Sequence, residues 1–131
     1  MSAASDIKTF LDNLGTLGTI IVGTLSASPD EICAIKEYGG FSPIGQFGVT
    51  GIKYERPSCN LVFRGIPGDY SSPMEKARIA WEALAAVQPG ELIDDSAIYL
   101  MISPQQSPFS LGQDLNLRYQ IACNFLILKE K

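Results

Sequence analysis

The chain has 131 residues, a formal net charge of −4 from 10 Lys+Arg against 14 Asp+Glu, and no histidine. That length suits one domain whose core needs neither disulfides nor metals. The missing histidine removes Ser-His and Cys-His nucleophile pairs, His-ligated zinc and the commonest general base at neutral pH.

A pI near 4.7 argues against a basic nucleic-acid footprint. The charged fraction, 18%, falls below the ~25% of ordinary globular domains, so the surface is short of charge. Cys33, Cys59 and Cys123 are far apart with no C-x-x-C spacing, and are expected as small buried hydrophobes in a reducing compartment. The first residues lack the basic and apolar regions of a signal peptide, and no apolar run reaches the ~18 residues of a membrane span. A soluble chain, cytoplasmic when made and without membrane contact, is the expectation.

Ile7, Phe10, Leu11 and Leu14 recur at i, i+3, i+4 and i+7 and predict a short helix over 5–14, with Ser5 as cap and Gly15 as stop. Residues 19–25 are β-branched and predict a strand. The connector 26–30 has the composition of a hairpin loop leading to a second strand over 31–38. Five glycines with Pro43 and Pro57 predict irregular chain over 39–57, long enough to be a working loop or a segment ordered by a partner. A third strand is expected over 59–64, where Cys59, Leu61 and Phe63 alternate with Asn60, Val62 and Arg64.

The second helix carries the strongest local signal. Ser71 or Ser72 caps it, Pro73 sits in its first turn, and Glu75 completes a capping box. Ala77, Ala80, Trp81, Leu84 and Val87 form its apolar stripe, and Pro89-Gly90 ends it. Ile79, Ala83 and Ala86 fall on the charged side at i, i+4 and i+7, which suggests a second contact, with another subunit as the natural candidate. A fourth strand is expected over 97–103 and irregular chain over 104–117. The last strand, 118–129, places Tyr119, Ile121, Cys123, Phe125 and Ile127 on one face. The order predicts α+β: a mostly antiparallel sheet of about five strands in a single domain, 1–131, with two helices packed on one face.

Chemistry is sparse. Gly45, Gly48 and Gly51 have a Gly-x-x-Gly-x-x-Gly spacing but no Gly-Lys-Ser/Thr ending, so a mobile loop is the better reading than a phosphate cradle. Glu91, Asp94 and Asp95 lack Ca²⁺-loop spacing and read as a solvated acidic turn. Glu37 and Glu55 could form a glycosidase-type pair only if the fold brought them together. No catalytic residue, cofactor or metal is expected. The two long segments instead carry apolar anchors among uncharged residues: 38–52 and 97–113 contain no charged side chain at all. Tyr38, Phe41, Phe47, Tyr54, Phe109 and Leu111, with Ile79 and Ala83 on the helix, are the candidate partner-contact residues.

Taken together and in order, several local motifs carry a likeness. They are Glu37-Tyr38-Gly39-Gly40, Glu55-Arg56-Pro57-Ser58 before a Pro-capped helix, Ser107-Pro108-Phe109-Ser110-Leu111-Gly112-Gln113-Asp114, and Arg118 with Asn124-Phe125. The chain resembles the minor capsid or tail-terminator family of long-tailed bacteriophages from about Leu11 onward. The resemblance implies a non-enzymatic virion subunit at the head-proximal end of the tail, assembled in the host cytoplasm. Its partners would be its own copies in a ring, typically a hexamer, the tail tube protein and a neck or connector protein. DNA would only pass through the lumen, without specific binding. A neck or head-completion protein is the nearby alternative. A small ligand-binding domain or enzyme, with a pocket of convergent polar groups, is the alternative from another class.

Overall fold

Alternation along the last strand sets the architecture, because a slip of one residue would turn its whole apolar set to the wrong face. A computed structural model describes residues 3–44, 54–87, 91–93 and 97–130; at 3, 39–44, 54–55, 91–93, 97–101 and 130 it describes the backbone alone. In chain order the elements are α1 (Ala3–Asp12), β1 (Ile20–Val22), β2 (Ile32–Ile44), β3 (Tyr54–Pro67), α2 (Ser71–Ala85), β4 (Glu91–Ile93), β5 (Ala97–Pro104), β6 (Phe109–Gln113) and β7 (Arg118–Glu130). The strands form one sheet in the order β1-β2-β3-β7-β5-β4, with β6 beside β7. All pairings are antiparallel except β1 with β2. The expected α+β class stands, and the short strands β4 and β6 add to the five expected.

One face of the sheet is covered. Cys33 and Ile35 of β2, Cys59, Leu61 and Phe63 of β3, and Ile121, Cys123, Phe125 and Ile127 of β7 are buried there. Against them pack Ala4, Ile7 and Leu11 of α1 and Ala77, Ala80 and Leu84 of α2. Each large side chain so buried contributes roughly 1.5–3 kcal/mol, which makes this stripe the dominant stabilising feature. Trp81 lies partly buried at its margin, where its Nε1–H donates to the Gln106 carbonyl at 3.0 Å.

Local expectations are corrected in five places. Residues 26–30 do not close a hairpin: β1 runs parallel to β2, with Ile20 opposite Cys33 and Val22 opposite Ile35. Much of 39–57 is not irregular, since β2 continues to Ile44 and β3 begins at Tyr54. Two register shifts, after Tyr38 and after Phe41, absorb the extra residues of the glycine-rich strand, as bulges do. Residues 104–117 likewise hold β6, which continues the edge that β5 begins along β7. At the start of α2, Tyr70 and not Ser71 or Ser72 holds the N-cap position, and Asp69 Oδ1 accepts from the first-turn Ser72 N–H at 3.3 Å. On α1, Gly15 adopts the left-handed conformation (φ 73°) expected of it, but Leu14 lies beyond the helix and is exposed.

The β3–α2 junction is tight. A Cβ on Gly65 would stand 2.9 Å from Pro73 Cδ and 3.1 Å from the Asp69 carbonyl oxygen, closer than side chains tolerate against a ring and backbone. Gly65→Ala is therefore expected to destabilise the fold by about 1–3 kcal/mol, the usual cost of overpacking. Urea unfolding of the two proteins side by side measures it, and an unchanged midpoint would show that the junction relaxes freely.

Candidate subunit interface

Among the described residues, no helix covers the other face of the sheet. Cross-strand register places Ala34, Val62, Ala122 and Phe109 in one row, Lys36, Asn60 and Asn124 in the next, and Tyr38, Ser58 and Leu126 in a third. Asn60 Nδ2 donates to Asn124 Oδ1 at 2.6 Å, an amide–amide bond across the middle row. Over these rows lies a shallow groove of about 280 Å³, whose walls include Leu25, Lys36, Tyr38, Val62, Leu111 and Gln120. Leu111 belongs to it because a register shift between Ser110 and Gly112 takes that residue out of the ladder.

One end of this open face is closed by two arginines. Arg64 and Arg118 are 5% and 6% exposed, so their charges need partners within the protein. Arg64 Nη2 donates to the carbonyls of Ser26 and Pro29 at 2.8 Å, and its Nε donates to that of Asp30 at 3.0 Å. Arg118 Nη1 donates to the Ala27 carbonyl at 2.9 Å and to Asp30 Oδ1 at 3.0 Å, while its Nε reaches Asp114 Oδ2 at 2.9 Å. These bonds draw residues 26–30 back across the sheet end, which is why β1 cannot form a hairpin with β2. Burial, and then the neighbouring Arg118 charge, lower the Arg64 pKa. Burial also opposes the Arg118 charge, but hydrogen bonds and charge from Asp114 and Asp30 outweigh it and the pKa rises. Asp114 is held below the usual carboxylate range, first by the Arg118 backbone N–H and then by those of Asn116 and the Arg118 side chain.

The eight residues expected to contact partners divide between opposite sides. Tyr38 (53% exposed) and Leu111 (54%) meet on the open face, where Phe109 is half-buried beside Ala122. Ile79 (38% exposed) and half-buried Ala83 lie on α2, beyond the covered face. They do not join the first group. Phe41 and Tyr54 are placed by backbone only, opposite Arg56 and Ile44 in the β2–β3 arm. Phe47 lies outside the described residues, as does the Gly45–Gly51 spacing. Sequence reasoning missed Lys36, Val62 and Gln120 as groove residues, although their period-2 spacing opposite the core stripe marks them. It also missed Ile66 and Tyr70, exposed near Leu117 at the arginine end.

Other chemistry finds little support. Among the described residues no three His, Cys, Asp or Glu side chains gather as a metal site, and no helix is long and apolar enough to cross a membrane. Of the Glu37–Glu55 pair, the Glu55 side chain lies outside the described atoms. All three cysteines are free and buried; burial pushes the Cys59 and Cys123 thiols up to about 12 and raises that of Cys33 further.

These features define a small α+β domain with one sheet face covered and the other open. No family model matches the chain, and no curated protein does either. Among solved structures it is similar to a chain of the virion of a native gene transfer agent (GTA) particle, with a TM-score of 0.66 covering 100% of both chains at 10% identity. The two chains share a fold from end to end.

Two measurements follow from this geometry. A depressed Asp114 pKa means that the folded state favours the carboxylate, so its stabilisation is full above the ordinary carboxyl range and is lost as pH falls through the folded-state value. Asp114→Asn should therefore lower Tm at pH 7, and the gap to the parent should narrow as pH falls through and below the ordinary carboxyl range; a gap independent of pH would assign the effect to packing. Separately, native protein at pH 8 should leave all three thiols unreactive to an aromatic disulfide reagent, and all three should react in denaturant.

Proposed function

We propose that this chain is a structural protein of a phage-like virion, and within it a tail-terminator subunit. The carrying observation is the whole-length fold similarity to a chain of a gene transfer agent virion particle. The resemblance of the sequence to tail terminators supplies the finer reading. In it, copies form a ring, a hexamer by analogy, on the head-proximal end of the tail tube. One rim matches the last tube ring, the other offers a docking surface to a neck or connector protein, and tube growth stops because no further tube subunit fits.

The chemistry of the domain suits that work. Rings require heterologous contacts that close, and this subunit has distinct open surfaces on its two sides. A net charge of −4 is consistent with a wall past which DNA slides without counterion-driven adhesion. Arg64 does not counter this, since its guanidinium is taken up by carbonyls of 26–30.

Deleting the coding sequence from the particle that carries it tests the reading by electron microscopy. A terminator predicts tails of uncontrolled length that fail to join heads. Tails of normal length beside unattached, leaking heads would identify a neck or head-completion protein instead, and normal virions would remove both.

A further inference from the structure

The open sheet face and the outer side of α2 lie on opposite sides of the subunit, so within one copy they never meet. Their properties are nonetheless matched. At 100° per residue, Glu75, Ile79, Glu82 and Ala86 fall within one narrow stripe directly opposite the buried Ala77, Ala80 and Leu84. Glu75, Ile79, Glu82 and Ala86 are all exposed. Arg78, at the flank, turns its guanidinium toward Trp81, 6.0 Å from the ring centroid, leaving the stripe acidic and apolar. The open face has the complementary character. Its groove holds one charged side chain, Lys36, among Leu25, Tyr38, Val62 and Leu111, and strand alternation puts Arg56 on the same side, two positions beyond Ser58.

Dimensions agree as well. The 15 residues of α2 span roughly 22 Å at 1.5 Å per residue. Along β2 the open face from Ile32 to Tyr38 runs roughly 20–24 Å at about 3.4 Å per residue. Lys36 falls within that length, and the two glutamates are about 10 Å apart along the helix axis, two turns, so a helix laid along the groove brings at least one of them to the lysine.

We propose that the open sheet face of one subunit receives the outer stripe of α2 from a second copy of this chain. Lys36 then faces Glu75 or Glu82, while Tyr38 and Leu111 cover Ile79. Because the two patches differ and point in opposite directions, the contact is head-to-tail and repeats until it closes. This assignment rests on the ring reading above and states which faces build the ring.

Cysteine cross-linking of the full chain tests it, since the native thiols are buried and do not compete. Leu111→Cys and Ile79→Cys chains are treated with a short bismaleimide, each alone and mixed, at high protein concentration. The expected result is a covalent dimer in the mixture and in neither chain alone, with the double variant giving a ladder that ends at the ring number. Adding Lys36→Glu to the Leu111→Cys chain should cut the yield about tenfold, and Glu75→Lys with Glu82→Lys on the Ile79→Cys chain should restore it. A dimer from Leu111→Cys alone would overturn the proposal in favour of two sheet faces meeting about a twofold axis. No cross-link in an oligomer seen by light scattering would overturn it while leaving a ring built from other faces. No cross-link in a monomer would overturn it too, and the tail-length phenotype would still decide the ring reading separately.

Discussion

Strand β7 is the constraint on which the other elements depend. It is hydrogen-bonded on both edges along most of its length, by β3 on one side and by β5 and β6 in succession on the other. Ile121, Cys123, Phe125 and Ile127 therefore have no freedom of face: the register that satisfies the backbone also decides which side can be covered by helices. Once that side is fixed, α1 and α2 can bury their stripes only there. The alternate residues, Gln120, Ala122, Asn124 and Leu126, are then committed to the uncovered side. The bare face is thus a consequence of the same alternation that builds the core.

The buried arginines add a second, non-local constraint. A guanidinium taken out of water needs its donors filled, and carbonyl oxygens are the economical acceptors because they bring no competing charge. Arg64 and Arg118 sit near each other at the sheet end, so a cluster of acceptors has to come to both. Residues 26–30 provide four carbonyls and one carboxylate. Bringing them there makes β1 return parallel to β2, shields one end of the open face, and places Leu25 in its groove. An ion pair network that looks purely structural thereby shapes the candidate contact surface.

This division explains what could be read from the sequence. Helix α2 was legible because Pro73, Ala77, Ala80 and Leu84 state its period within a few residues, and β7 was legible because its alternation is long. The direction of β1 was not, since it is decided by arginines more than 30 positions away whose side chains look, in sequence, like ordinary surface charge. The extent of β2 and β3 was hidden for another reason. Glycine and proline normally punctuate, but here two bulges on β2 take up the irregularity while β3 keeps an even register with β7 from Tyr54 to Arg64. Of the candidate contact residues, Tyr38 and Leu111 are named by exposure and composition, yet that they share a groove follows only from strand order and from the bulge at Leu111.

The charge deficit of the chain is consequently not spread evenly over its outside. Both charge-free segments flank or cross the bare side of the sheet: 38–44 continues β2 past Tyr38, and 109–113 is β6, which carries Phe109 and Leu111. A monomer that kept this face in water would leave Tyr38 and Leu111 exposed on it, beside Lys36, Gln120 and the asparagine pair. Some of the charge is used internally, at the arginine end, and Glu75 and Glu82 mark the outer stripe of α2. Such a distribution gives each side of the subunit a different chemical character, one acidic and ridged, the other weakly basic and grooved. Two unlike sides favour contacts that run in one direction around an assembly, whereas a subunit with one self-complementary patch would stop at a dimer.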